Sequence, residues 1–232
     1  MTTKPAQVIV FAPHPDDAEI GAGGTIARWI REGKDVILVM CTNGDKGTSD
    51  PNIKPEELAQ IREQETLAAV KVLGVREVIF LRYPDQGLED TPEFRKEFVR
   101  LIRKYRPETA ATTDPYRRYI SHRDHRITGR VVLDAVFPYA RDLHAYPDLL
   151  EEGLQPHKVK EVFLWGTEEP NYRSDITDTF DIKMSAVGCH KSQFGSNPSP
   201  ERTERMRERA KAVAEGEDCE LGEAFHRIEL QR

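Results

Sequence analysis

Cysteine is scarce in this chain of 232 residues. Only Cys41, Cys189 and Cys219 occur, an odd number, widely spaced and without a Cys-x-x-Cys pair. Neither a disulfide framework nor a thiolate metal cluster is expected from that pattern, and a reducing cytoplasm is the expected compartment. Positive charge is not in excess either. The net charge is -6, whereas a nucleic-acid-binding protein normally carries a basic patch or stripe. No apolar run approaches the ~20 residues of a membrane-spanning helix. The N-terminal residues carry no apolar signal-peptide core before the first strand, so no signal peptide is expected. With no internal repeat, linker or low-complexity tract, residues 1–232 are expected to form a single soluble domain with a full core.

What is present begins at Val8. Val8 to Ala12 is a short apolar run of the kind a buried strand gives, and it breaks at Pro13 and Pro15. His14, Asp16 and Asp17 lie between and just after those prolines, and a helical pattern follows from Glu19. One imidazole and two carboxylates therefore share a tight turn at the C-terminal end of a strand, where open α/β sheets bind ligands. His with carboxylate is a usual zinc set, and a catalytic zinc needs three protein ligands with a fourth position open. Asp after Pro also starts turns and caps helices, but capping does not need an imidazole. One segment cannot close a metal site, so a second strand end must supply more ligands.

Further along, the pattern alternates. Strands are expected at Asp35–Cys41, Glu77–Leu81, Thr109–Thr113 and Glu161–Trp165, with a short one at Asp178–Ile182. Helices are expected at Pro55–Leu73, from Thr91 to Tyr105, Ile127–Tyr139, Ile182–Phe194 and Pro200–Glu215. Asp142 to His157 reads as irregular. Such alternation predicts an α/β fold, Rossmann-like and doubly wound, with a mostly parallel sheet and helices on both faces. In the common doubly wound orders, strands 1 and 4 lie side by side at the topological switch. The turn holding His14, Asp16 and Asp17 would then face His122, Asp124 and His125, which follow strand 4.

Of seven histidines, those three fall after strands 1 and 4. His144, His157 and His226 read as surface residues. His190 is open between lining the pocket and a surface or capping role. Gly21-Ala-Gly-Gly-Thr resembles part of a dinucleotide fingerprint, but its last glycine position is Ile26. Asp16, Asp17 and Glu19 also stand where a pyrophosphate would need positive potential. Close packing of the helix on the sheet is the better account.

Pro13-His-Pro-Asp-Asp17, Gly21-Ala-Gly-Gly-Thr-Ile26, Thr42-Asn-Gly-Asp, Arg62 with Glu65, Leu81 through Pro84-Asp-Gln-Gly, and His122-Arg-Asp-His-Arg126 occur in one order over roughly the first 130 residues. In these motifs the chain resembles the LmbE-like (PIG-L) family of zinc-dependent N-acetylglucosaminyl deacetylases, with His190-Lys-Ser-Gln as a weaker late match. Periodicity does not tell Asp16 from Asp17. The resemblance implies that His14, Asp17 and His125 bind Zn2+ and that Asp16 is the general base. It implies that His122 stabilises the oxyanion with Asp124 orienting it, and that Arg62 and Asp85 contact the sugar. Tyr116 or Tyr119 would be the tyrosine that family members tend to use. Arg123 departs from the proline often found there and leaves the ligand spacing intact. The implied substrate is a small N-acetylated amino sugar, and the implied assembly a homo-oligomer, trimer or hexamer. Fe2+ is an alternative metal, since these donors do not select sharply. Chitobiose-type, glucosaminyl-malate-type and inositol-linked substrates remain open. So do a family amidase acting on a thiol conjugate, a non-hydrolytic nucleotide- or phosphate-binding module, and a homologue without activity. Specificity is expected in the Asp45–Lys54 and Asp142–Glu152 loops.

Overall fold

A computed structural model describes residues 4–195 and 199–230. Strands β1 (Val8–Ala12), β2 (Val36–Thr42), β3 (Glu77–Tyr83), β4 (Thr109–Thr113) and β5 (Glu161–Trp165) are all parallel. Strands β6 (Tyr172–Asp175) and β7 (Gly222–Glu229) complete one seven-stranded sheet of order β3-β2-β1-β4-β5-β7-β6. Strand β7 runs antiparallel to both β5 and β6. The chain reverses its order of strand addition between β1 and β4, which pair with Val8 beside Thr109 and Val10 beside Ala111. Both C-terminal strand ends therefore open into one crevice, as the topology predicts.

Alternation along β1 divides the core. Val8, Val10 and Ala12 face helices α1 (Asp17–Arg31), α2 (Pro55–Leu73) and α6 (Phe180–Val187). Ile9 and Phe11 face α3 (Pro92–Tyr105) and α4 (Arg123–Asp134). A strand covered on both faces must be apolar at every position, which is why β1 and β2 read as unbroken runs. Phe11 stacks on Phe98 with ring centroids 4.6 Å apart. Burying each such ring stabilises the fold by roughly 1.5–3 kcal/mol. Thr91 caps α3 by accepting from the Phe94 N–H, with Pro92 at the first turn. Gly74 ends α2 in the left-handed region, φ 85°, donating to the Val70 carbonyl.

The glycines of α1 are packing glycines. A Cβ on Gly21 would stand 2.2 Å from Trp165, and one on Gly24 would stand 2.7 Å from Ile176. Only a bare backbone lets α1 approach β5 and the segment after β6 this closely.

Several boundaries differ from the expectation. Helix α4 starts at Arg123 because the His122 ring caps it, accepting from the Asp124 N–H at 3.2 Å. It ends at Asp134, and the chain kinks within Ala135–Tyr139, where Phe137 is extended (φ -145°, ψ 118°) just before Pro138. The short strand expected at Asp178–Ile182 is not a strand. Phe180, Met184 and Val187 begin a buried stripe at helical spacing, so those residues start α6, and the strand lies earlier, at β6. The helix expected over Ile182–Phe194 divides at Gly188 into α6 and the short α7 (Lys191–Phe194). Short helix α5 (Asp148–Glu151) lies inside the segment read as irregular, and α8 (Pro200–Ala214) is close to its expected span.

Candidate active site

The turn after β1 folds back on itself. Asp16 occupies the position before α1 with φ 94°, an unusual conformation for a side-chain-bearing residue,. Its carboxylate caps no backbone N–H. Instead its Oδ2 lies 3.3 Å from Arg62 Nη2. Asp17 Oδ2 accepts from the His14 backbone N–H at 3.0 Å. That same oxygen lies 3.1 Å from His14 Nδ1 and 3.1 Å from His125 Nε2. The two ring nitrogens are 3.3 Å apart. Three donor atoms from two strand ends thus form a closed triangle.

That triangle fits a metal ion. Tetrahedral ligands at 2.0–2.2 Å from zinc stand roughly 3.3–3.6 Å from one another. Edges of 3.1–3.3 Å come within about 0.2 Å of the lower end of that range, and two imidazoles with one carboxylate are an ordinary donor set. The other nitrogen of His14 has its own partners. Nε2 lies 3.0 Å from Asp85 Oδ1 and 3.2 Å from Asp124 Oδ2. A metal-ligating histidine commonly donates its second N–H to a carboxylate in this way. His14, His122 and His125 also bring ring nitrogens within 4.8 Å of one another, and His14, Asp85, His122 and Asp124 bring their donor atoms equally close. The Nδ1 side of His14 is the open one, since Asp17 and His125 line a cavity of about 710 Å³. On the Nε2 side, Asp85 and Asp124 are buried.

The electrostatics show a place that wants positive charge. Burial alone would lower the His14 pKa, but Asp124, Asp17 and Asp85 raise it to about 11. Burial would raise Asp17, yet the hydrogen bonds from His125 and His14 hold it well below the carboxylate range. Asp16 behaves oppositely. Burial first, then repulsion from Asp17, pushes it up to about 7, with Arg62 pulling the other way. His122 is lowered by burial and then by the charge of His14. Its Nδ1 accepts the Asp124 N–H. In a neutral ring this places the proton on Nε2, leaving that nitrogen as a donor.

All eight expected residues come together, but several have partners other than those expected. Asp124 is 0% exposed, and its carboxylate accepts from Gln86 N at 2.6 Å, Leu88 N at 3.3 Å and His14. It therefore orients His14, while its backbone, not its side chain, holds His122. Arg62 is 4% exposed and bonds Pro15 O at 2.7 Å, Gly44 O at 3.1 Å and Asp16. Asp85 faces His14, and Lys46 Nζ donates to its carbonyl. Arg62 and Asp85 thus point at protein groups, not at the cavity wall.

The cavity is lined by Trp165, Ile120, Arg117, His122, Arg209 and Glu223, among others. Trp165 and the α8 and β7 residues were not singled out in the sequence, and neither expected specificity loop lines this cavity. Tyr119 is 99% exposed. Tyr116 lines a separate small cavity with Glu168 and Glu169. His144 is exposed as expected, whereas His157 is half-buried and bonds the Pro107 carbonyl at 2.7 Å. His226 is half-buried too, with Nδ1 2.8 Å from Glu169 O. His190 is fully buried, 3.4 Å from Glu19.

Fold and site define an α/β protein with a histidine–carboxylate centre at its topological switch. The chain belongs to the PIG-L family, GlcNAc-PI de-N-acetylase, whose pattern matches residues 9–136. It is 39% identical over 188 residues to the diacetylchitobiose deacetylase of Thermococcus kodakarensis, covering 81% of this chain and 70% of that one. The solved N,N'-diacetylchitobiose deacetylase of Pyrococcus horikoshii superposes with a TM-score of 0.90 at 34% identity, over 97% of this chain and 84% of that one. The 4-carboxy-2-hydroxymuconate hydratase GalB of Pseudomonas putida shares the fold alone. Its TM-score is 0.79 at 20% identity, over 99% of this chain and 98% of that one.

Proposed function

We propose that this protein is a metal-dependent hydrolase that removes the acetyl group from an N-acetylglucosamine-type sugar or conjugate. The observation that carries this reading is the triangle of His14 Nδ1, Asp17 Oδ2 and His125 Nε2, with edges of 3.1–3.3 Å, bordering a cavity of about 710 Å³. These three residues hold the ion, Zn2+ in this proposal and Fe2+ as the alternative. A divalent ion bound there supplies Lewis acidity, polarising an amide carbonyl and making water a better nucleophile at neutral pH.

The chain's own residues do the rest. Asp16, with its pKa near 7, takes a proton from the attacking water. It passes that proton to the amide nitrogen as the C–N bond breaks. Water's oxygen ends in acetate, and the sugar leaves as a free amine. His122 lines the cavity, and its Nε2–H is free to donate to the oxyanion of the tetrahedral intermediate. Asp124 and Asp85 fix the His14 ring, and Arg62 fixes Asp16. We place the activity in the cytoplasm and in a homo-oligomer. Among the described residues no helix is long and apolar enough to cross a membrane.

The test is release of free amine from a panel of N-acetylated sugars, with and without chelator. Chelator-sensitive release from at least one sugar is expected. A metal-replete preparation that cleaves none of them would overturn the reading.

A further inference from the structure

The segment His190-Lys-Ser-Gln193 has no part in the chemistry above, yet it touches three walls around Asp16. His190 is fully buried, and its Nε2 lies 3.4 Å from Oε1 of Glu19 on α1, also fully buried. Among the described residues, neither side chain has a hydrogen bond of good geometry. Each is therefore the main compensation for burial of the other. Ser192 bonds Glu65 on α2 through both its N–H, at 2.7 Å, and its hydroxyl, at 2.6 Å. Gln193 Nε2 donates to the Gly47 carbonyl at 2.8 Å.

Gly47 leads to Asp16 through one buried guanidinium. The Gly47 N–H donates to Gly44 O at 3.2 Å, and Arg62 Nη1 donates to that same oxygen at 3.1 Å. The loop lies so close to Arg62 that a Cβ on Gly44 would stand 2.3 Å from Nη1, and one on Gly47 would stand 2.7 Å from it. Arg62 Nη2 then holds Pro15 O and Asp16 Oδ2. Asp16 needs such a hold, because its backbone sits at φ 94° and a left-handed conformation in a non-glycine residue persists only when its surroundings over-determine it.

We propose that His190, Ser192 and Gln193 form a strap of positioning residues that seats the Gly44–Gly47 loop on Arg62, and through Arg62 aims the Asp16 carboxylate. This rests on the proposed reaction only for its kinetic readout. Misplacing a catalytic group by about 1 Å can cost on the order of 100-fold in rate. Loss of the strap should therefore lower kcat with little change in KM or metal content.

Gln193→Ala is the variant to make. Gln193 is only half-buried, so the fold tolerates its truncation better than that of His190. The expected result is a kcat roughly 10- to 100-fold lower, with KM, bound metal and Tm close to those of the parent. In an Asp16→Asn background the same change should add no further loss, since two residues acting through one group are not additive. A crystal structure of Gln193→Ala should show the Arg62–Asp16 contact broken. An unchanged kcat, an additive loss in the Asp16→Asn background, or an intact Arg62–Asp16 contact would each overturn the strap. If the parent protein cleaves no N-acetylated sugar, the proposed reaction falls, and the crystal structure still decides the strap.

Discussion

Asp124→Asn tests the arrangement around His14 with the smallest change in shape. The Asp124 carboxylate is 0% exposed and accepts from Gln86 N, Leu88 N and His14 Nε2. An asparagine keeps one acceptor oxygen and turns the other into a donor. Its oxygen is best placed where Oδ2 stands, since that atom serves both Gln86 and His14. The amide nitrogen then faces the Leu88 N–H, donor against donor, and leaves a buried N–H without a partner. That costs about 1–3 kcal/mol. The negative charge behind His14 is lost as well, which makes the ring a poorer ligand. Changes to such outer partners typically cost 10- to 100-fold in metal affinity, or about 1.4–2.7 kcal/mol. Metal affinity by chelator competition and stability by urea unfolding of the metal-free protein read the two effects separately. Unchanged affinity would refute the reasoning, because Asp124 would then have no hold on the ligand, and this holds even if stability falls.

Asp16→Asn should keep its metal but lose roughly 100- to 10,000-fold in kcat, the usual range for a general base; equal turnover at equal metal content would remove Asp16 from that role. Gly21→Ala must displace Trp165, whose Cδ1 stands 2.2 Å from the new methyl. It should cost about 1–3 kcal/mol, or roughly 2–4 °C of Tm for each kcal/mol. A Tm equal to the parent's would mean that α1 does not lie as closely on β5 as described. Burial lowers the His190 pKa, but Glu19 outweighs it, so the folded value lies above the ordinary 6.5. A histidine with a raised folded pKa contributes stability that is full below 6.5 and is lost as pH rises through the folded value. Denaturant unfolding of the parent and of His190→Gln should therefore differ more at pH 6 than at pH 9. The same difference at both pH values would mean that the pair is not charged.

The parallel half of the sheet was legible because β1, β2 and β4 are buried along their whole length and β5 nearly so, while β3, at the edge, still carries the apolar run Val78–Leu81. Val8–Ala12 and the second strand can only be continuous apolar runs, and even Thr109-Ala-Ala-Thr-Thr113 is recognisable from its flanking helices. The meeting of His14 with His122 and His125 followed from strand order alone, without any contact being visible. Strands β6 and β7 were not legible, because edge and near-edge strands carry charge. Arg227 on β7 pairs with Glu161 at 2.8 Å and lies over the ring of Phe163. With β7 unseen, the wall that Glu223 and α8 give to the cavity was unseen too. The partners of Arg62 and Asp85 were hidden for another reason. A motif shows that a charged side chain is near a site, but only packing shows whether it faces the cavity or another residue. Gly21 signalled close packing by its lack of a side chain, whereas nothing in the sequence named Trp165 as what it packs against. His190 and Glu19 lie far apart in the chain, with no periodicity linking them.

Whether two strand ends meet around one divalent ion is tested most directly by anomalous diffraction at the zinc edge from zinc-loaded crystals. One peak per chain is expected, about 2.0–2.2 Å from His14 Nδ1, Asp17 Oδ2 and His125 Nε2, and absent in His125→Ala. A peak on the Asp85–Asp124 side of His14, or none at this turn in a fully active protein, would contradict it.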